Sequence, residues 1–187
     1  GRLNGTISYS QDKQLNLNAS IDSLSLYNSN PLSVTVTALR SENQVPFEFH
    51  LTNTSNKIDM KGQYFLDKAE VDASLKVDVH NLELFAFLLT GVFEEIDGVL
   101  KGEARIDGPI QTPVFNGTMR ISDAGFKTVN PKLSFHVKDD IITLDNSSLL
   151  LDDFKLYDEE DNPLTINGNI SSKDRSEERR VGKECSK

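Results

Sequence analysis

The 187-residue chain is 37% hydrophobic and 26% charged and contains no Trp, so a packed interior has to be assembled from Leu, Val, Ile and Phe. Its net charge of -9 argues against a nucleic-acid partner, which needs a basic face, and disfavours docking on anionic lipid headgroups by charge alone. The chain opens on Gly1 without a Met, a signal peptide or a hydrophobic anchor, and it reads as a fragment of a longer protein.

From the N-terminus, apolar and polar residues alternate with the period of two that predicts strands. Leu3, Gly5, Ile7 and Tyr9 make the first strand and Leu15, Leu17, Ala19 and Ile21 the second, with a turn at Asp12-Lys13. Leu24 and Leu26 continue briefly, and residues 27–31 form a loop. Val34, Val36 and Ala38, then Phe47, Phe49 and Leu51, then Ile58, Met60, Gly62 and Tyr64 come next as strands. The longest predicted strand covers 69–79, where Val71, Ala73, Leu75, Val77 and Val79 alternate with Asp72, Ser74, Lys76 and Asp78. Short turns between two-faced strands imply an antiparallel meander.

The period changes once, in 81–122. Phe85, Leu88, Leu89, Val92, Phe93 and Ile96 fall at helical spacing, which predicts a short amphipathic helix over 82–93 stopped by Gly98. Its apolar run is about half of the ~20 residues needed to span a bilayer. Leu100, Gly102, Ala104 and Ile106 then share one face of a strand that Gly108-Pro109 breaks, and Phe115, Gly117, Met119 and Ile121 repeat the pattern. Strands resume at 133–137, 142–144, 149–156 and 164–170. An apolar-x-Gly-x-apolar unit recurs at residues 3–7, 60–64, 100–104, 115–119 and 166–170. Glycine costs a strand ~0.5–1 kcal/mol against Ala. Its recurrence on the apolar face therefore suggests a bend or room for an approaching group, and coiling of a large sheet is the equal alternative.

No constellation of residues points to catalysis. His50, His80 and His136 stand singly, without a His or Cys at ligand spacing, and read as exposed or paired strand histidines. There is no nucleophile elbow, P-loop or His-Glu-x-x-His. Asp139-Asp140, Asp152-Asp153 and the run 158–161 lack the spaced frame of a calcium loop and read as solvated turns that discourage sheet aggregation. Asn-x-Ser/Thr sequons such as 18–20 and 116–118 arise by chance in a chain this rich in those residues. No metal and no cofactor is expected. Residues 175–185 resemble the translation of a common sequencing adapter, so 174–187 reads as a disordered, artefactual tail, and Cys185 inside it carries no weight.

Residues 81–171 resemble the repeat unit of the TamB family, within the AsmA-like group. Gly98, Leu100, Gly102, Ile106 and Gly108 match its Gly-x-Leu-x-Gly-x-x-x-Ile-x-Gly stretch. Pro113 and Gly117 match its next strand, and Ala124 and Phe126 match the small residue and aromatic beyond that strand. The ending 156–170 is similar too, with Asn162 and Pro163 where a glycine turn is usual. Residues 1–80 share the strand style of the 81–173 segment and form the other β-repeat segment. Patterning alone favours a β-sandwich that buries the apolar face against a second sheet. The resemblance implies instead an all-β fold of one long, twisted antiparallel sheet curled into an open trough, with the short helix at an end or lip. It further implies a non-catalytic, periplasmic segment of an inner-membrane-anchored protein. That protein works with a BamA-type outer-membrane barrel in outer-membrane protein translocation and assembly and in phospholipid transport between membranes. The alternative is a structural β-rich stalk or adhesin module. On the trough reading, Val71, Leu75, Val77, Leu100, Ile106, Phe115, Met119 and Ile121 are expected to line a groove for phospholipid acyl chains.

Overall fold

A computed structural model of the chain describes residues 2–9, 15–24, 31–88 and 91–171. The expected turn at Asp12-Lys13, most of the 27–31 loop and the 174–187 tail lie outside them. The alternating segments form β1 (Arg2–Tyr9), β2 (Leu15–Leu24), β3 (Leu32–Arg40), β4 (Gln44–Thr52), β5 (Asn56–Phe65) and β6 (Glu70–Val79). A 3-10 helix (Leu82–Leu88) and the short β7 (Phe93–Ile96) come next. The chain continues as β8 (Val99–Pro109), β9 (Val114–Thr128), β10 (Ser134–Asp145), β11 (Ser148–Tyr157) and β12 (Pro163–Ser171).

All of these strands belong to one antiparallel sheet in the order β1-β2-β3-β4-β5-β6-β8-β9-β10-β11-β12, with β7 off that path on β9. Apart from β6, which pairs with β8 past β7, each strand along the path pairs with the next in sequence, as short connections between two-faced strands require. The β6–β8 ladder, from Glu70↔Pro109 to Val79↔Leu100, joins the 1–80 and 81–173 segments into this single sheet. Among the described residues the sheet is open, its edges β1 and β12 do not meet, and no second sheet covers it. The sandwich favoured by patterning alone is therefore replaced by a single layer.

Coiling of the sheet, together with packing of Leu82, Phe85 and Ala86 of the 3-10 helix against it, accounts for burial in a single layer. Val71, Val77, Met119 and Ile121 are 6–9% exposed although no second sheet lies over them. On a flat, uncovered sheet such side chains would stand in water, so those of adjacent strands must lean together. The glycines show where. A Cβ on Gly62 would lie 2.5 Å from the Cβ of Ala73, one on Gly102 would lie 2.7 Å from the Met119 sulfur, and one on Gly117 would lie 2.9 Å from the Ala104 Cβ. Ordinary cross-strand Cβ pairs stand ~4.5–5.5 Å apart. Here glycine lets β5 close on β6, and β8 on β9, on the apolar side. At Gly62, Gly102 and Gly117 the structure has the coiling, since the neighbouring strand fills the space and leaves no room for another group; Gly5 makes only ordinary contacts, and Gly168 has nothing within 4 Å of its Cβ position.

The expected helix over 82–93 is corrected. Among the described residues of that range only 82–88 is helical, as a 3-10 turn whose start is capped by the Asn81 side-chain oxygen accepting the Glu83 N–H at 2.9 Å. Phe93 and Ile96, placed on the helix stripe by their spacing of three, are strand residues opposite Thr128 and Phe126. The cause lies in the backbone hydrogen bonds. β9 outruns β8, so beyond Ser122 it offers unpaired N–H and C=O groups that β7 satisfies. A bulge between Phe93 and Glu95 supplies the extra residue that a period of two requires. Gly108-Pro109 likewise does not break its strand: β8 runs through Pro109, and the turn comes after it.

Candidate functional site

Register decides which side chains share a face. Reading across the ladders, Ala19, Val36, Phe49, Met60, Leu75, Ala104, Gly117, Leu144, Leu149 and Ile170 lie opposite one another in turn. One step along the strands, Ile21, Val34, Leu51, Ile58, Val77, Gly102, Met119 and Ile142 form a second row. In the other direction, Ala38, Phe47, Gly62, Ala73, Ile106 and Phe115 form a third. None of these positions is polar. The interleaved row on the opposite face reads Ser20, Thr35, His50, Asp59, Lys76, Glu103, Thr118 and Thr143.

The eight residues expected to line a groove all fall on the apolar face. Val71 is opposite Gly108, Leu75 opposite Ala104, Val77 opposite Gly102, and Ile106 opposite both Ala73 and Phe115. Leu100 lies between Val79 and Ile121, and Met119 is opposite Gly102. Leu75, Leu100, Ile106 and Phe115 are half-buried, so their side chains reach both neighbours and solvent. Sequence reasoning left out Val36, Phe47, Phe49 and Met60, which continue the same rows on β3–β5. Their alternation was visible, but which parity matches the central strands depends on register, and register is a property of the ladder.

The polar face is tied by ion pairs across the strands. Lys61 pairs with Glu48 at 2.7 Å, Lys101 with Asp78 at 3.0 Å, Arg105 with Asp72 at 3.0 Å, and Arg120 with Asp139. Each histidine contacts a carboxylate: His50 meets Asp59 at 2.6 Å, His80 meets Asp78 at 3.0 Å and His136 meets Asp161 at 3.0 Å. The Lys61 ammonium holds the Glu48 carboxyl below its ordinary range. Lys57, then His50, do the same to Asp59, and Arg120 does so to Asp139. The acidic pairs serve the ladder: Asp140 accepts the Lys155 N–H at 2.8 Å, and Asp153 accepts from Asn167 at 3.1 Å.

A hollow of about 630 Å³ lies away from the apolar rows, between the 3-10 helix, β7 and the turn after β11. Glu83, Glu94, Glu95, Asp97 and Glu159 rim it, and none of the eight expected residues lines it. Its carboxylates are the wrong surroundings for a hydrocarbon chain. The apolar rows form an open face rather than an enclosed cavity. Among the described residues, no three His, Cys, Asp or Glu stand together to hold a metal ion, and no helix is long and apolar enough to cross a membrane.

The chain matches no family model, and no curated protein and no solved structure matches it.

Proposed function

We propose that this chain is a non-catalytic, lipid-guiding segment whose apolar face holds phospholipid acyl chains while its polar face stays in water. The observation that carries the reading is the set of three apolar rows, continuous across strands from both segments and uncovered by any second layer. Each CH₂ removed from water there contributes ~0.8 kcal/mol, and the absence of polar side chains from the rows leaves nothing to desolvate. The resemblance of residues 81–171 to the TamB repeat supports a wider setting. In it the segment belongs to an inner-membrane-anchored periplasmic protein that works beside a BamA-type outer-membrane barrel, in outer-membrane protein assembly and phospholipid transport between membranes.

Photocrosslinking in phosphate-labelled cells tests the reading. A benzophenone side chain at Leu75 or Phe115 is expected to capture labelled phospholipid, and one at Lys76 or Arg120, on the opposite face, is not. Equal labelling of both faces, or none at Leu75 and Phe115, would leave a structural stalk module as the better account.

A further inference from the structure

The sheet ends on β12, which has β11 on one side and, among the described residues, no strand on the other. Successive residues of a strand point their N–H and C=O groups to opposite sides, so every second residue from Leu164 to Ile170 presents them unpaired at this edge. Such an edge is a template for another strand, and proteins commonly blunt it with charge, proline or a bulge. Pro163 stands at the first position of β12, where it leaves the rest of the strand free. Among the described strands, β12 alone has no charged residue, on a chain whose net charge is -9.

The side chains at this edge are uncovered too. Leu164, opposite Leu156, is 54% exposed, and Ile170, opposite Leu149, is 64% exposed. Both lie on the face that carries the apolar rows. Gly168 belongs to the same apolar-x-Gly-x-apolar unit as Gly62, Gly102 and Gly117. Those three are closed upon by a neighbouring strand, and Gly168 is not.

The order of residues selects the strand that fits. Residues 166–170 read Ile-Asn-Gly-Asn-Ile, the same in both directions, and Thr165 and Ser171 extend the symmetry with a hydroxyl at each end. Antiparallel pairing of two such strands about a two-fold axis at Gly168 sets Ile166 opposite Ile170, Asn167 opposite Asn169 and Gly168 opposite itself. Residues directly opposite share a face, so apolar meets apolar and amide meets amide. A strand without charge brings no like charges together across the axis, which two chains this acidic would otherwise do. A two-fold contact needs one patch that is complementary to itself, and this strand supplies it. The other edge, β1, carries Arg2, and pairing β12 with β1 of a next copy would leave an edge free at each end and grow without closing.

We propose that β12 pairs with β12 of a second copy of this chain, antiparallel about Gly168, so that two sheets and their apolar faces join into one. The contact is made by edge hydrogen bonds and the two Ile166–Ile170 pairs, whatever the apolar face holds.

Sedimentation of the full chain across a dilution series is expected to show twice the single-chain mass, falling to one chain on dilution. Ile170→Lys, at an exposed position, is expected to keep the circular dichroism of the fold and to stay a single chain. In a Cys185→Ser background, Gly168→Cys is expected to join to itself on mild oxidation, because the Cα atoms of a directly opposed pair lie within the ~7 Å that a disulfide spans. Ile170→Cys is not, because its two copies stand about 13 Å apart along the strands. A single-chain mass at every concentration overturns the proposal, as does a dimer that persists in Ile170→Lys with no crosslink at Gly168→Cys. Crosslinking of Gly5→Cys chains to Gly168→Cys chains, with masses growing beyond two chains, overturns the two-fold and assigns the edge to β1 of the next copy.

Discussion

Asn56 is the buried polar residue on which the most backbone depends. Its side-chain oxygen satisfies two N–H groups of the turn that leads from β6 into the 3-10 helix. Asn56→Ala leaves both donors without that acceptor, a loss of about 1–3 kcal/mol that chemical denaturation measures as a lower midpoint. Carboxylates on the polar face predict a pH response with a definite sign. Glu48, Asp59, Asp78, Asp139 and Asp161 are held below their ordinary values of 4.5 for Glu and 3.8 for Asp, chiefly by hydrogen bonds from Lys61, Lys57, Lys101, Arg120 and Lys138 respectively. A depressed folded value means the stabilisation is fully present above the unfolded value and is lost as pH falls through the folded one. Unfolding free energy is therefore expected to be flat above about pH 5 and to drop through the acid range. The pairs are exposed, each contributes little, and about 1 M salt should flatten the slope; a slope indifferent to salt would argue against these pairs as its source.

Strand pairs carry a second prediction, in which two glycines of the same sequence pattern behave differently. Gly102 sits where a Cβ would lie 2.2 Å from the Thr118 carbonyl oxygen and 2.8 Å from the Met119 Cα, both backbone atoms. Gly102→Ala must push β8 and β9 apart and is expected to cost about 1–3 kcal/mol. Gly168 in β12 has nothing within 4 Å of its Cβ position. Gly168→Ala is expected to change stability by no more than about 0.5 kcal/mol, and thermal melts of the pair decide the point. Equal effects would remove glycine-permitted coiling as the reason for burial. Phe93 and Ile96 satisfy helical spacing, yet the free edge of β9 recruits them, and Phe93 packs on Phe126 with ring centroids 5.5 Å apart. Local period lost to an unpaired ladder that cannot be seen without knowing that β9 outruns β8.

For the whole molecule, uneven burial on the apolar face of the open sheet predicts opposite fates for two arginines on β6. At half-buried Leu75, an arginine can carry its head into solvent along a flexible stem, so Leu75→Arg folds and loses lipid crosslinking. At Val79, 0% exposed, Val79→Arg buries an unpaired charge and prevents folding. Circular dichroism on the two purified variants separates them; unfolding of both would mean that the face is closed throughout. Much of this molecule was legible in its residues. The period of two determined the strands, their two-faced character and the short turns that make the sheet a meander, because alternation and turn chemistry are local. Within each of β6, β8 and β9 the residues singled out for a groove share a face for the same reason, and the ladders turn those three faces the same way. Three things were decided only by the tertiary structure. One is the single open layer, since the alternation of an uncovered sheet and of one half of a sandwich is the same. Another is the inclusion of Val36, Phe49 and Met60 in the same rows as Leu75, since matching faces across strands requires the ladder register. The last is the closure at the 3-10 helix, built from Asn56, Leu82, Gly98 and Ala124, residues as far apart in the chain as β5 and β9 that meet only once the sheet has coiled.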